Sequence, residues 1–296
     1  MPGCGGSPKQ STSGVGKQTL GDEAPVLMSG IEHSNVRTGA IDVDRPRLES
    51  INILGVTVDR LSLGELLGIV SGWAETEGRF SVMYANVHVL NNAYADVELR
   101  RILNQAKLVY CDGAGVRLGT RLLGRQLPQR MTAADWIEDL CTLCAEWGLG
   151  LYLMGGRPGV AARAAEVLGS RYPGVPIVGS HHGYVSDPAV NEQALSEINA
   201  AAPRILLVGM GTPIQERWIA TNRDRLHTPV VWAVGALFDF VAGVHHRAPR
   251  WMRHYNLEWL HRLAVEPRRL WRRYLIGNPI FLLRVLGQRW GLVNVK

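Results

Sequence analysis

Short apolar runs alternate with helical segments between about residue 50 and residue 245 of this chain. Each run is nearly continuously apolar and is bounded by Gly, Pro or Asn, which is typical of parallel strands covered on both faces. The runs lie in RFSVMYANVHV, AKLVYCDG, GLGLYLMGG, VPIVGS, RILLVGMG and PVVWAVG, and segments such as RPGVAARAAEVLGSRY and TPIQERWIATNRDRL separate them. This alternation predicts an α/β fold with a Rossmann-like, doubly wound, mostly parallel sheet.

Both ends of the chain depart from this pattern. Residues 1–48 are rich in Gly, Ser and polar groups, which predicts a disordered leader, and they contain no apolar run of the kind found in a signal peptide. Residues 49–245 are expected to form the Rossmann-like core. Residues 246–296 are expected to form a basic, amphipathic helical appendage, in which Pro267 begins a second helix. No uninterrupted apolar stretch reaches the 18 residues expected of a transmembrane helix.

The positive charge of the chain is concentrated in the appendage. The whole chain carries a formal charge of +6, but residues 246–296 contain ten Arg and one Lys against Glu258 and Glu266, so the remainder is net acidic. Four tryptophans are interleaved with these arginines. Such asymmetry indicates an anionic partner, which is nucleic acid, a membrane surface or a phosphorylated ligand, unless the arginines form only a solvated helix face.

The cysteines and paired histidines do not predict a metal or redox centre. Cys141 and Cys144 fall in the middle of a predicted helix with no second cysteine pair nearby, which favours core packing. His181 and His182 are adjacent, so their side chains cannot face the same point from a strand.

Three loops that follow predicted strands contain the candidate chemistry, because ligands of doubly wound sheets bind outside the carboxyl ends of the strands. In YCDGAGV, Asp112 is placed to act as a general base or to cap the next helix. In LMGGRPGV, Gly155 and Gly156 open a helix whose N–H groups suit a phosphate, although any tight turn at this point needs glycine.

The third loop is VGMGTPIQERW. Gly209 and Gly211 allow close approach of the backbone to a ligand, and Gln215 and Glu216 follow in the first turn of the next helix. Gln215 is suited to hydrogen-bond a sugar or a phosphate, or to cap its own helix.

Two other functional classes fit less well. A nicotinamide-dependent oxidoreductase needs a glycine fingerprint at its first strand-to-helix turn, which INILGVTVDRLSLGEL lacks. A nucleic-acid-binding protein would explain the basic appendage but not the loops at the strand ends, and no recognition motif is present, so we predict no nucleic-acid partner.

The order of these short elements closely resembles the WecG/TagA/CpsF glycosyltransferases, also called glycosyltransferase family 26, over about residues 50–285. The resemblance is carried by YANVHVL, LVYCDGAGV, LYLMGGRPGV, GSHHGYV, LLVGMGTPIQERW, VVWAVGALFDFVAG, HRAPRW, LEWLHRL and EPRRLWRRYLIGNP. It implies a cytoplasmic enzyme, peripherally bound to the inner face of the plasma membrane, that needs no metal or other cofactor. The implied reaction transfers a sugar from a UDP-sugar to a polyprenyl-diphosphate-linked saccharide with inversion at the anomeric carbon.

The resemblance also assigns residues. Asp112 matches the proposed catalytic base, Asn86 and Arg130 match active-site residues, and the glycines above, Gln215 and Glu216 are expected at the donor. Arginines of the appendage match those thought to stabilise the UDP leaving group, for which we take Arg247, Arg250, Arg253 and Arg262. Four further arginines, with one tryptophan, are expected to face the membrane: Arg268, Arg269, Trp271, Arg272 and Arg273.

Two positions depart from the usual family pattern and leave the donor sugar open. Tyr84 stands where Thr is usual and Ala133 where Gly is usual. N-acetylmannosamine is the best-known donor sugar, and the alternatives are a UDP-glucose-dependent exopolysaccharide glucosyltransferase or a scaffold that binds nucleotide sugars without catalysis. The presence of Asp112, Asn86, Arg130 and Gln215 argues against the scaffold, and a homo-oligomer is compatible with the helical surface.

Overall fold

The computed structural model describes residues 48–292, so the predicted leader lies outside the described residues. Six parallel strands form one sheet in the order β4-β3-β8-β7-β5-β6. The strands are β3 (Phe80–Ala85), β4 (Leu108–Cys111), β5 (Leu151–Gly155), β6 (Ile177–His181), β7 (Ile205–Gly209) and β8 (Val230–Ala233). All six coincide with the predicted apolar runs, and the α/β, Rossmann-like fold is confirmed.

The helices of the core are α1 (Leu63–Ala74), α2 (Val87–Ala95), α3 (Val97–Gln105), α4 (Ala114–Leu122), α5 (Ala133–Trp147), α6 (Val160–Arg171), α7 (Pro188–Ala201), α8 (Ile214–Asn222) and α9 (Leu237–Val241). They flank the sheet, and every residue of β4, β5, β7 and β8 is buried. Burial of both faces explains why these strands are continuously apolar rather than alternating.

The first predicted strand is instead a hairpin outside the main sheet. β1 (Ser50–Ile53) and β2 (Val56–Asp59) pair antiparallel through Leu54 and Gly55, both of which have positive φ as a two-residue hairpin loop requires. The buried Asp59 carboxylate accepts a hydrogen bond of 2.8 Å from the Val109 amide of edge strand β4. The hairpin therefore covers an edge that would otherwise expose backbone donors.

The appendage is helical as predicted, but its first helix is broken. The helices are α10 (Arg250–His254), α11 (Glu258–Val265), α12 (Pro267–Trp271), a π-helical turn (Arg272–Ile276) and α13 (Gly277–Arg289). Asn256, at a φ of 60°, lies between α10 and α11, so the single helix expected before Pro267 is two short helices. Within residues 48–292, every helix is too short or too polar to span a lipid bilayer.

The last helix packs into the core rather than beside it. Phe281 and Val285 of α13 are buried against α4 at Gly119, where an added Cβ would lie 2.8 Å from the Phe281 ring. The Gln288 side chain accepts from the Leu54 amide at 2.8 Å and donates to the Asn52 carbonyl at 2.9 Å. Helix α13 thus links the hairpin, α4 and α2.

Candidate active site

A cavity of about 670 Å³ lies at the carboxyl ends of the central strands, between the Rossmann-like core and the appendage. Asn86 follows β3, Asp112 follows β4, Gly211 and Thr212 follow β7, and Gly235 follows β8. Helices α11 and α12 and the π-helical turn supply further walls. The cavity therefore occupies the edge of the sheet at which doubly wound folds bind ligands.

The Asp112 carboxylate faces this cavity and caps no helix. The N-cap of α4 is Gly113, at a φ of 101°, and no side chain caps that helix. The Asn86 side chain instead holds Asp112, donating from Nδ2 to Oδ2 at 3.1 Å while its Oδ1 caps α2 by accepting from Val89. Because capping does not use the Asp112 carboxylate, the helix-capping alternative is wrong.

Burial raises the pKa of Asp112 to about 6, and the nearby carboxylates of Asp135 and Glu258 add to that shift. The hydrogen bond from Asn86 and the charge of Arg273 act in the opposite direction. A carboxylate with a pKa close to neutral pH is ionised in the cell and yet basic enough to take a proton in a transition state. The cavity thus contains a group with the properties of a general base.

Arg130 lies on the cavity wall within a cluster of charges. Its guanidinium is 3.6 Å from Glu258 and donates to the Arg253 carbonyl at 3.5 Å. Arg247 donates to Asp135 at 2.6 Å and lies 3.7 Å from Glu258. Burial alone would raise the pKa of Asp135, but Arg247 holds it below its usual range. These pairs connect α5 to the appendage and fix the cavity wall.

Of the four arginines predicted to contact the donor, only one lines the cavity. Arg262 lines the cavity, with its guanidinium carbon 5.4 Å from the Phe240 ring centre. Arg247, Arg250 and Arg253 lie outside the cavity lining.

Two of the arginines predicted to face the membrane line the cavity, namely Arg269, whose side chain is also exposed, and Arg273. Arg268, Trp271 and Arg272 are exposed. The helical pattern alone could not separate them, because all five fall within six residues and the π-helical turn changes the helical phase between them.

Gln215 and Glu216 are buried behind the cavity and do not line it. The Gln215 amide accepts from the Gly235 and Gly211 amides at 3.1 and 3.3 Å and donates to Tyr84 Oη and to Glu216 at 3.1 and 2.9 Å. Its side chain therefore holds the loops after β7 and β8 together. Burial raises the pKa of Glu216.

The predicted phosphate-binding glycines are explained by packing. At Gly155, the last residue of β5, φ is 154° and a Cβ would lie 2.2 Å from the Gly209 carbonyl oxygen. The Gly156 amide donates to that same carbonyl at 3.0 Å. Gly155, Gly156 and Gly209 lie outside the cavity lining, whereas Gly211 forms part of it.

Tyr84 and Ala133, which depart from the family pattern, both line the cavity, and the Tyr84 hydroxyl lies near Gly235 and 3.5 Å from Thr212 Oγ1.

His88 also lines the cavity. It was not predicted as a site residue, although it lies only two residues after Asn86. Burial and the charge of Arg273 lower the pKa of His88 to about 4, so its imidazole is neutral at pH 7. Within residues 48–292 there is no cluster of three or more His, Cys, Asp and Glu side chains placed to bind a metal ion.

Cys141 and Cys144 are buried on α5, which agrees with core packing.

The comparisons with known proteins agree with this architecture. The model of the glycosyl transferase WecG/TagA/CpsF family matches residues 51–294. Relatives from Staphylococcus aureus strains NCTC 8325 / PS 47, COL and MW2 are 26% identical to this chain over 244 residues, or 82% of this chain and 94% of each relative. Each is named an N-acetylglucosaminyldiphosphoundecaprenol N-acetyl-beta-D-mannosaminyltransferase. The chain with this strand-end cavity therefore belongs to the WecG/TagA/CpsF family and is a glycosyltransferase.

Proposed function

We propose that this enzyme transfers N-acetylmannosamine from UDP to a polyprenyl-diphosphate-linked N-acetylglucosamine during synthesis of a bacterial cell-surface polysaccharide. The observation that carries the proposal is the Asp112 carboxylate, held by Asn86 in a cavity that also contains Arg130, Arg262 and Arg269. The names of the staphylococcal relatives support the choice of sugar and acceptor.

In this reaction a hydroxyl oxygen of the acceptor sugar attacks the anomeric carbon of the donor. The new glycosidic C–O bond forms as the bond from that carbon to the phosphate oxygen breaks, so the configuration inverts. Asp112 takes the hydroxyl proton, and the bonding electron pair leaves with UDP. Negative charge then grows on the diphosphate, which the guanidinium groups of Arg262 and Arg269 neutralise by charge-assisted hydrogen bonds.

The exposed Arg268, Trp271 and Arg272 are proposed to hold the enzyme on the inner face of the membrane, where its lipid-linked acceptor resides.

The test is the release of UDP from a panel of UDP-sugars, with a short-chain lipid diphosphate-GlcNAc and a lipid diphosphate-glucose as acceptors. We expect one donor, UDP-N-acetylmannosamine, to turn over, and Asp112→Asn to reduce kcat at least a hundredfold, because general base catalysis contributes about that much or more. Asp224→Asn, at a carboxylate with an exposed side chain, is the matched control.

Undiminished turnover in Asp112→Asn would remove Asp112 as the base. Turnover with UDP-glucose alone would show that UDP-N-acetylmannosamine is not the donor and would support the glucosyltransferase alternative. Binding of UDP-sugars without turnover by any pair would favour the scaffold.

A further inference from the structure

One part of the cavity wall is apolar. It is built from Val87 at the start of α2, Leu118 of α4, and Phe281 and Leu282 of α13. Phe281 is buried, whereas Leu118 is 45% exposed, so the wall extends from the protein interior to solvent. A nucleotide sugar has no hydrocarbon chain that could extend along such a wall.

More apolar side chains are exposed next to this part of the protein. Leu283 is 68% exposed, and Ile276 and Ile280 are also exposed. Residues 276, 280 and 283 have the spacing of one helix face, whereas Phe281 and Val285 are buried. Exposed apolar residues near the mouth of a cavity are typical of a ligand or membrane contact.

Arg273 places a positive charge without a close ion-pair partner beside this wall. It lines the cavity, where its charge acts on both Asp112 and His88. Arg130, Arg247 and Arg269 each lie within 4.0 Å of a carboxylate, namely Glu258, Asp135 and Glu266. Among the described residues, Arg273 has no carboxylate within that distance, and its guanidinium carbon lies 5.6 Å from the centre of the Tyr274 ring. The site therefore combines a cation that has no ion pair within 4.0 Å with an apolar wall that reaches solvent.

We infer that this is the binding site for the lipid diphosphate of the acceptor. Arg273 binds the diphosphate, and the first isoprene units of the prenyl chain lie along Val87 and Leu282 and leave the protein past the exposed Leu118. The inference rests on the proposed function for the identity of the acceptor. It adds to that proposal that the two diphosphates bind at different arginines. The acceptor's diphosphate binds at Arg273, and the donor's binds at Arg262 and Arg269.

The test measures binding rather than turnover, so it gives an answer even if the proposed reaction is wrong. The probes are geranyl diphosphate and inorganic diphosphate, titrated by calorimetry into the full chain saturated with UDP and without vesicles. We expect geranyl diphosphate to bind at least tenfold more tightly, because each buried CH₂ group contributes about 0.8 kcal/mol. Leu118→Asn should remove that advantage, and Arg273→Gln should weaken both probes at least tenfold.

Val97→Asn is the matched control, since Val97 is an exposed apolar residue of α3 outside the cavity lining, and it should leave both affinities unchanged. Displacement of geranyl diphosphate by UDP would overturn the inference, because the lipid diphosphate would then share the donor site. Equal affinity for the two probes, or an advantage that survives Leu118→Asn, would also overturn it. If Leu118→Asn instead dissociates an oligomer and the probes do not differ, the apolar surface is an interface between copies of this chain.

Discussion

Asp112 is a carboxyl group whose protonation depends on opposing neighbours. Burial raises its pKa to about 6, while Asn86 and Arg273 lower it. Since the folded pKa exceeds that of an unfolded aspartate, the folded protein binds this proton more tightly than the unfolded chain does. The resulting stability is fully present at low pH and is lost as pH rises through about 6, which is also the range in which the carboxylate becomes available as a base.

The pH dependence of catalysis should follow this titration. We expect kcat/KM to fall about tenfold per pH unit below pH 6, because protonated Asp112 cannot accept the acceptor's proton. Arg273→Gln should move the midpoint to higher pH, since the arginine lowers the pKa of Asp112. A pH–rate profile of each variant measures both effects, and Arg121→Gln, at an exposed arginine of α4, should leave the midpoint in place. An unchanged midpoint in Arg273→Gln would contradict this account.

Gln215 should contribute more to stability than to donor affinity. Its replacement by Met leaves the Gly235 amide without its buried acceptor and removes the hydrogen bond to the Tyr84 hydroxyl, which costs about 2–4 kcal/mol of unfolding free energy. Urea denaturation measures this loss. Gln193→Met, at an exposed residue of α7 bonded to Glu197, is the control and should change little. A raised KM for the donor with unchanged stability would instead make Gln215 a direct ligand.

Helix α13 packs closely against α4 because Gly119 of α4 has no side chain. We expect Gly119→Ala to cost about 1–3 kcal/mol, because the new methyl group would lie 2.8 Å from the buried Phe281 ring. Gly72→Ala in α1 meets no atom within 4 Å and should be neutral or stabilising. Thermal unfolding compares the two. If adding Phe281→Leu to Gly119→Ala restores part of the lost stability, the contact is confirmed. If Gly119→Ala and Gly72→Ala change stability equally, it is refuted.

Strands β4, β5, β7 and β8 were predictable because all of their residues are buried, and burial on both faces requires a continuous apolar run. Strands β3 and β6 are less completely buried but also lie in apolar runs. The position of Asp112 at a strand end followed from the same pattern. The different placement of Arg272 and Arg273 was not predictable, because it depends on a π-helical turn and on the packing of α13 against α4. Nor could Gln215 be recognised as buried, since its partners come from three separate loops and strands.

Across the whole molecule, positive charge lies on two surfaces of the appendage: Arg262, Arg269 and Arg273 in the cavity, and Arg268 and Arg272 outside it. The appendage also supplies Phe281 and Val285 to the hydrophobic core. A chain ending near residue 245 would lose those core residues, so point substitutions separate membrane binding from folding better than truncation does.

Membrane binding should depend on the outer arginines. We expect the double substitution Arg268→Gln and Arg272→Gln to lower partitioning onto anionic vesicles about thirtyfold, since each arginine near the surface contributes about 1 kcal/mol. Co-sedimentation with vesicles at low and high salt measures it. The pair Arg100→Gln and Arg101→Gln on α3 is the control. Equal losses in both pairs would mean that net charge, rather than this surface, determines binding.

The bond between Leu54 and Gln288 has a consequence for synthesis on the ribosome. The amide of Leu54 lies in the hairpin that covers β4, and its hydrogen-bond acceptor is a side chain 234 residues later. The hairpin can therefore reach its final hydrogen bonding only after nearly all of the described chain has been translated. Until α13 is made and packs against α4, the positions that it buries in the finished enzyme stay open to solvent, so the nascent chain exposes apolar surface that the folded enzyme does not.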